Sequence, residues 1–374
     1  MTTSGPLAGV TVVELAGLGP APFAAMVLAE MGAEVIRVDR PRPAALAAMP
    51  PAADLLNRGK RSVVLDLKDP EAVDAVLDLC ADADLLIEGY RPGVAERLGL
   101  GPAAVHERNP ALVYGRMTGW GQDGPLASSA GHDIGYVAVT GALGAIGDAG
   151  GPPQVPLNLV GDFGGGSTYL VMGLLAALVE ARTSGRGQVV DAAIVDGVSH
   201  LLTVVHALLA ADRWTDERGV NLLDGGTPFY AVYATADGGY MAVGALEPGF
   251  YAELLRLLEL DLDPRDQQDR TTWPAMRAAL TARFASHSQA HWTALFDGTD
   301  ACVAPVVSLY GAVDHPQIAA RRSLVEVDGV LQSMPAPRFS AHPQTAPQSA
   351  PAVGADTREV LARLGRDQLA DRPA

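Results

Sequence analysis

Val10-Thr11-Val12-Val13-Glu14-Leu15-Ala16-Gly17-Leu18-Gly19-Pro20-Ala21-Pro22 decides the fold class of this chain. A short apolar run, Val10 to Leu15, ends in the turn Gly17-Leu18-Gly19-Pro20 and gives way to a helical pattern from Pro22 to Met31. Gly32 follows, the residue type that closes a helix in the left-handed conformation. Val35 to Val38 is then a second short apolar run. Two such strands joined by a helix run parallel, because the crossover brings the chain back to the same end of the sheet.

The unit repeats. Ser62 to Leu67 reads as a strand, and Asp69-Pro70-Glu71 supplies an N-cap, a proline at N1 and an early acid for a helix running to about Cys80. Leu85 to Glu88 and, after a further helix, Leu112 to Tyr114 are the next strands. Repeated βα units predict a doubly wound, largely parallel α/β sheet. Gly161-Asp162-Phe163-Gly164-Gly165-Gly166 then precedes an apolar helix from about Ser167 to Arg182, which Gly185 ends. Gln188 to Val195 reads as a strand, Gly197 to Ala211 as a helix and Asn221 to Gly226 as a linker. Beyond it, Tyr230 to Thr235 and Tyr240 to Gly244 flank Asp237-Gly238-Gly239, a hairpin signal. Helical segments continue to about Phe296, so this stretch predicts a smaller α+β domain. The tail from Ala341 to Val353 is rich in Pro, Gln and Ala, and Thr357 to Leu364 is a last short helix.

The 374 residues are 48% hydrophobic and 19% charged, which excludes a disordered chain and supplies enough apolar side chains for two domains or one large one. A net charge of −16 disfavours nucleic acid and anionic membranes as partners. The cations are unevenly placed: none precedes Arg37, and Arg37, Arg40, Arg42, Arg58, Lys60, Arg61, Lys68, Arg91 and Arg97 all fall within residues 37–97. Such a cluster is either a solvated face or an anion site for a phosphorylated small molecule. The 2 cysteines, Cys80 and Cys302, exclude a disulfide framework and fit a reducing compartment. Met1 to Gly9 lacks the basic and apolar regions of a secretory signal, and the longest apolar run, Tyr169 to Val179, is too short to span a bilayer. A cytoplasmic protein without membrane insertion is expected. His287 and His291 have i, i+4 spacing but neither an intervening glutamate nor an evident third ligand, so no metal is expected.

Gly17-x-Gly19-x-x-Pro22, followed by Asp39, approaches the dinucleotide-binding fingerprint. Pro22 replaces its third glycine, however, and Pro20 and Pro22 both lack the N–H that would meet a pyrophosphate.

Several longer stretches carry a resemblance: Val12 to Gly17, Val35 to Pro41, Gly59 to Lys68, Ala130 to Tyr136, Leu157 to Gly166, Val243 to Pro248 and Asp300 to Val306. Together they resemble the family III CoA-transferase superfamily over nearly the whole chain. Within it, His132 in Ala130-Gly131-His132-Asp133-Ile134-Gly135-Tyr136 makes the chain most similar to the α-methylacyl-CoA racemases, since transferases place an aromatic there. The resemblance implies a racemase that interconverts (2R)- and (2S)-2-methylacyl-CoA thioesters in lipid metabolism and fatty acid degradation. No cofactor is implied, because CoA is part of the substrate. An interlocked homodimer is implied too, with a large domain built from 1–200 and returning at 330–374, and a small domain, 225–310, inserted between. Glu247 would reach the active site of the partner subunit. Arg40 and Arg91 would meet the CoA phosphates, and strand Leu65-Asp66-Leu67-Lys68 would lie against the adenine. Tyr136 and Asn158 would line the thioester pocket, Gly131 and Asp133 would bind substrate or CoA, and Arg37, Lys60 and Arg61 would be rim charges. Gly135 stands where racemases commonly have asparagine, which removes a hydrogen-bonding group beside His132.

The chemistry can be argued from the residues themselves. Inverting a carbon beside a thioester needs a base on one face and an acid on the other, each able to exchange roles. Histidine titrates near neutrality and suits one face, so His132 is one candidate. A carboxyl suits the other only if its pKa is raised, and a like charge such as Glu247 beside Asp162 would raise it. Asp162, ahead of three glycines at an expected helix start, would also sit beside free N–H groups able to hold an enolate oxygen. Taken singly, Asp162 is an ordinary N-cap, His132 a structural histidine and Glu247 a turn residue; their joint occurrence in the longer motifs favours the catalytic assignment. The alternatives are CoA transfer between carboxylic acids with Asp162 as nucleophile, and an acyl-CoA-binding protein without chemistry. Branched fatty acyl chains and sterol side chains both remain open as substrates.

Overall fold

The computed structural model describes residues 5–41 and 49–371; Met1–Ser4 and Arg42 of the basic cluster lie outside them. The chain divides into two compact units. The first comprises the described residues of Met1–Thr140, Leu157–Leu201 and Pro316–Ala374, and the second Gly141–Pro156 and Leu202–His315.

The first unit opens with β1 (Thr11–Leu15), α1 (Pro20–Glu30), β2 (Glu34–Asp39), β3 (Arg61–Val64), α2 (Pro70–Ala81) and β4 (Leu85–Glu88). Two short helices, α3 (Val94–Arg97) and α4 (Pro102–Arg108), lead to β5 (Val113–Thr118) and α5 (Asp133–Val139). The short α6 (Ala142–Ala145) belongs to the second unit. A π-helical segment, Leu159–Ser167, then runs directly into α7 (Thr168–Ser184), followed by β6 (Val189–Ala193) and α8 (Ile194–Leu201). The second unit holds α9 (Thr203–Ala210), the β7 (Tyr230–Ala234) and β8 (Tyr240–Gly244) hairpin, α10 (Pro248–Leu257), α11 (Trp273–Phe284), α12 (Gln289–Phe296) and β9 (Val303–Pro305). The chain ends in the first unit with α13 (Pro316–Arg321), a β10 (Leu324–Val327) and β11 (Val330–Ser333) hairpin, and α14 (Thr357–Arg363).

All pairings in the six-stranded sheet are parallel, in the order β3-β2-β1-β4-β5-β6. Every residue of β4 is buried, as expected of a strand covered on both faces. One face packs Val13, Leu15, Ile36 and Val38 against Val76 and Leu79 of α2 and Val360 and Leu361 of α14. The strand order reverses between β1 and β4, and the crevice outside their carboxyl ends is where ligands bind in sheets of this kind. The exposed edge of β3 is closed by the tail. Asp356 Oδ2 accepts the Ser62 N–H at 2.9 Å, and Thr357 Oγ1 accepts the Val64 N–H at 3.0 Å. Two donors that would invite another strand are thereby satisfied.

Four expectations need correction. The strand expected to reach Leu67 stops at Val64, because Asp66 begins a turn: its carbonyl accepts the Asp69 N–H at 2.8 Å and its carboxylate the Lys68 N–H at 3.1 Å. Residues 65–68 are therefore loop and turn, not strand, although the Leu65 N–H still donates to the Asp39 carbonyl at 3.0 Å. The expected helix from Gly197 to Ala211 is two helices separated at Leu202. Asp162 is not an N-cap, since the helix begins three residues earlier at Leu159. Its π-helical form is accompanied by one local feature and one tertiary one. The Ser167 and Thr168 hydroxyls donate to the carbonyls of Asp162 and Phe163, five residues back, at 3.0 Å in both cases. Gly165 and Gly197 meet backbone to backbone, leaving no room for a Cβ on either. Finally, Tyr169–Val179 belongs to a continuous helix, Leu159–Ser184, whose 26 residues are long and apolar enough by composition to cross a bilayer. Core helices meet the same criterion, and the buried stripe here, including Leu170, Leu174, Ala177 and Leu178, packs on β5 and β6.

The second unit has an antiparallel sheet, β7-β8-β9, and its own core. Tyr233 and Phe284 stack at 5.2 Å, and Trp292 Nε1 donates to the Phe284 carbonyl at 2.8 Å. Gly141–Pro156, which falls inside the first span expected from sequence, joins this unit through Arg218, whose guanidinium donates to the Gly151 and Gly144 carbonyls.

Candidate active site

The turns after β1, β2, β4 and β5 open onto a cavity of about 850 Å³ at the switch point of the sheet. His132 and Asp162 both line it, with Gly131, Tyr136, Asn158, Arg40 and Arg91. A second cavity of about 610 Å³ is lined by Arg40, Leu65, Asp66, Leu67, Lys68 and Tyr90. Arg40 and Tyr90 belong to both walls, and the Arg40 guanidinium lies over the Tyr90 ring, 5.5 Å from its centroid. Residues 65–68 and the pair His132 and Asp162, distant in sequence, are thus brought to adjoining cavities.

Asp162 is half-buried within the π-helical segment. Its N–H is taken: Asp133 Oδ1 accepts it at 2.7 Å. Asn158 Nδ2 reaches Asp162 Oδ2 at 3.4 Å. Burial pushes the Asp162 carboxyl above the usual carboxylate range; Asn158 opposes this, the Asp133 charge adds to it, and His132 counters it. The like charge acting within the chain is therefore Asp133, in the part that sequence reasoning gave to Glu247. Asp133 does not line the cavity with its neighbours; its carboxylate turns to the Asp162 backbone. Glu247 lies in the second unit as the exposed N-cap of α10, with no side-chain capping bond.

His132 is the N-cap residue of α5, extended at φ −138° and ψ 167°, and its exposed ring makes no capping bond. Tyr136, one turn on, packs edge-on against Trp120 with centroids 4.7 Å apart. Gly119 and Gly131 leave no room for a Cβ against the Tyr136 ring, so their lack of a side chain fixes where that ring can lie. Burial, with the nearby Asp162 charge, raises the Tyr136 phenol above its ordinary range. A Cβ at Gly135 would meet nothing within 4 Å, so the asparagine common in racemases would fit. Sequence reasoning missed Trp120 and Tyr90. Their available signal was position, since both follow the carboxyl end of a sheet strand.

The glycine turn after β1 serves Asp162. Gly19 has φ +69°, and a Cβ there would lie 3.3 Å from Asp162 Oδ2. Asp39, the acid that would bind a ribose hydroxyl, is occupied instead: it accepts from Arg37 Nε at 2.8 Å and from the Ser62 hydroxyl at 2.7 Å. The basic cluster also divides differently from expectation. Arg37 and Lys60 are buried rather than rim charges, with Lys60 Nζ 2.6 Å from Glu14 Oε2. Arg61 is half-buried among Glu34, Asp356 and Glu359. Arg40, Lys68 and Arg91 have no carboxylate partner among the described residues, and all three face a cavity. His287 and His291 stack ring on ring at 4.1 Å, and among the described residues no three His, Cys, Asp or Glu gather as metal ligands.

Residues 7–357 match CoA-transferase family III. The chain is 45% identical over 365 residues to an α-methylacyl-CoA racemase of Mus musculus, an alignment covering 97% of this chain and 94% of the mouse protein. It is 42% identical over 362 residues to the Homo sapiens α-methylacyl-CoA racemase, covering 96% of this chain and 93% of the human one. A CAIB/BAIF family protein from Brucella suis superposes with a TM-score of 0.80 at 26% identity, covering 96% of this chain and 100% of that structure.

Proposed function

The chain belongs to CoA-transferase family III, and from that premise we propose that it interconverts (2R)- and (2S)-2-methylacyl-CoA thioesters by 1,1-proton transfer. The observation that carries this is the presence of His132 and Asp162 in the wall of one cavity, beside a second cavity edged by Arg40 and Lys68. The polyanionic CoA moiety lies along the second cavity and the thioester in the first. One group takes the C2 proton and leaves an enolate; the other returns a proton to the opposite face. Asp162 suits this exchange because burial raises its pKa, so the protonated form is accessible nearer neutrality. Its own N–H is taken by Asp133 Oδ1 and is not free to hold the enolate oxygen. The reaction needs no cofactor, because the acidity of C2 comes from the thioester.

The test is proton NMR of a (2S)-2-methylacyl-CoA incubated with the enzyme in D₂O. Loss of the C2 proton signal with appearance of the (2R) epimer is expected. A persistent C2 proton, with CoA instead moving to an added carboxylic acid, would replace racemisation by CoA transfer.

The physiological form in this proposal is a cytoplasmic, interlocked homodimer acting in branched-chain lipid degradation, with the small α+β domain inserted into the large one. Glu247, exposed and free of capping duty, then completes the partner's site. Size-exclusion chromatography with activity assayed across the peak is expected to show activity only at the dimer mass. An active monomer would overturn this arrangement.

A further inference from the structure

We propose that the Asp133 side chain is the positioning group that ties Asp162 to the helix bearing His132, and that it does not bind substrate. This rests on the racemase assignment above. Asp133 follows His132 in the chain as the first residue of α5, so its backbone fixes one proton-transfer group. Its carboxylate grips the backbone of the other, accepting the Asp162 N–H at 2.7 Å. One residue therefore spans the two walls between which the C2 carbon must sit. The fit is close: Gly161 packs so tightly on the Asp133 carboxylate that a Cβ there would collide with it. Any side chain at position 161 would push the tie apart.

The same tie has an electrostatic side. Asp162 is faced by Asp133, His132 and Tyr136 from α5 and by the Asn158 amide, while Gly19 of the β1–α1 turn brings no charge. Within this group Asp133 is the negative charge that opposes ionisation of Asp162. Removing that charge while keeping the acceptor lowers the pKa of Asp162. The acid limb of the pH profile, where Asp162 loses its function as a base, then moves to lower pH.

Asp133→Asn retains the acceptor oxygen without the charge, Asp133→Ala removes both, and Gly161→Ala displaces the carboxylate. Asp133→Ala and Gly161→Ala should lower kcat by about 10- to 100-fold, with KM changed far less, because misplacing a reacting group by an ångström has that effect. Asp133→Asn should retain at least tenfold more of kcat than Asp133→Ala and shift the acid limb downward. A wild-type kcat in Asp133→Ala, or an unmoved acid limb in Asp133→Asn, would overturn the proposal. A second readout does not need turnover: ¹³C titration of the Asp162 carboxyl, assigned by its loss in Asp162→Asn, should move to lower pH in Asp133→Asn. An unmoved or raised titration overturns the tie even if the wild-type enzyme proves not to be a racemase. Absence of C2 exchange in the wild type would instead overturn the racemase assignment alone.

Discussion

Asp162→Asn is expected to lose racemisation by about 10³-fold or more while still exchanging the C2 proton of one epimer with solvent. The reason is that two groups work on opposite faces of one carbon. Without Asp162 as a base, His132 can still remove and return a proton on its own face, and that proton exchanges without inversion. His132→Ala should show the mirror behaviour, exchanging only the other epimer through Asp162. Asparagine is nearly isosteric and leaves the backbone N–H to Asp133 Oδ1 in place, so the loss would report chemistry rather than folding. Proton NMR of each C2 epimer in D₂O, run separately with both variants, makes the comparison. Racemisation surviving in either variant would remove that residue from the pair. Exchange of the same epimer by both would mean that one face carries all the proton transfer. The acid limb adds a check on Asp162. Its pKa is raised in the folded enzyme, mainly by burial, so wild-type activity should fall at a pH above the ordinary carboxylate range.

The parallel sheet was legible because its signals are local. The run Val10 to Leu15, the glycine turn and the helix to Met31 each constrain a few neighbouring residues, and β1 and α1 fall there. Asp69-Pro70-Glu71 caps α2 as expected, with the Asp69 carboxylate accepting the Glu71 N–H at 2.9 Å. His132 and Asp162 were legible only through longer motifs. What was not legible depends on contacts distant in sequence. The π-helical segment shares its glycine and apolar content with an ordinary helix, and the close meeting of Gly165 with Gly197 is a tertiary fact. The resemblance made Asp133 a substrate- or CoA-binding residue; its grip on the Asp162 N–H crosses 29 positions. Charged side chains default to the surface, so nothing in Gly59-Lys60-Arg61 told that the first cation is buried and the second only half so.

That buried cation carries the largest expected effect on stability. Lys60→Met should destabilise the protein by about 3–5 kcal/mol, the usual cost of leaving half of a buried ion pair behind. Lys60 Nζ donates to Glu14 Oε2 at 2.6 Å, to the Pro22 carbonyl at 2.9 Å and to Asn57 Oδ1 at 3.2 Å. Both side chains of the Lys60–Glu14 pair are fully inaccessible to solvent. Burial pulls the Lys60 ammonium below its ordinary range against the pull of Glu14, so the pair already sits where charge is poorly solvated. Once Lys60 is gone, Glu14 retains, among the described residues, only Arg37 at 3.6 Å, and its Oε1 has no hydrogen bond to any of them even in the intact protein. The companion variant Glu14→Leu/Lys60→Met removes both charges and should recover most of the loss, since an apolar pair of similar volume needs no partners. Arg37 then keeps Asp39 and Asn57, which prevents a new orphan. Urea unfolding followed by circular dichroism gives the comparison through the shift in midpoint at constant slope. A Lys60→Met midpoint within experimental error of wild type would mean that water reaches Glu14 once the ammonium is removed. A double variant no more stable than the single one would place the cost in the shape of the site beneath α1 rather than in the unpaired carboxylate. Because Pro22 belongs to α1 and Gly19 of the preceding turn abuts Asp162, loosening this anchor should also lower turnover. The double variant, with α1 reseated on apolar contacts, should recover turnover and stability together.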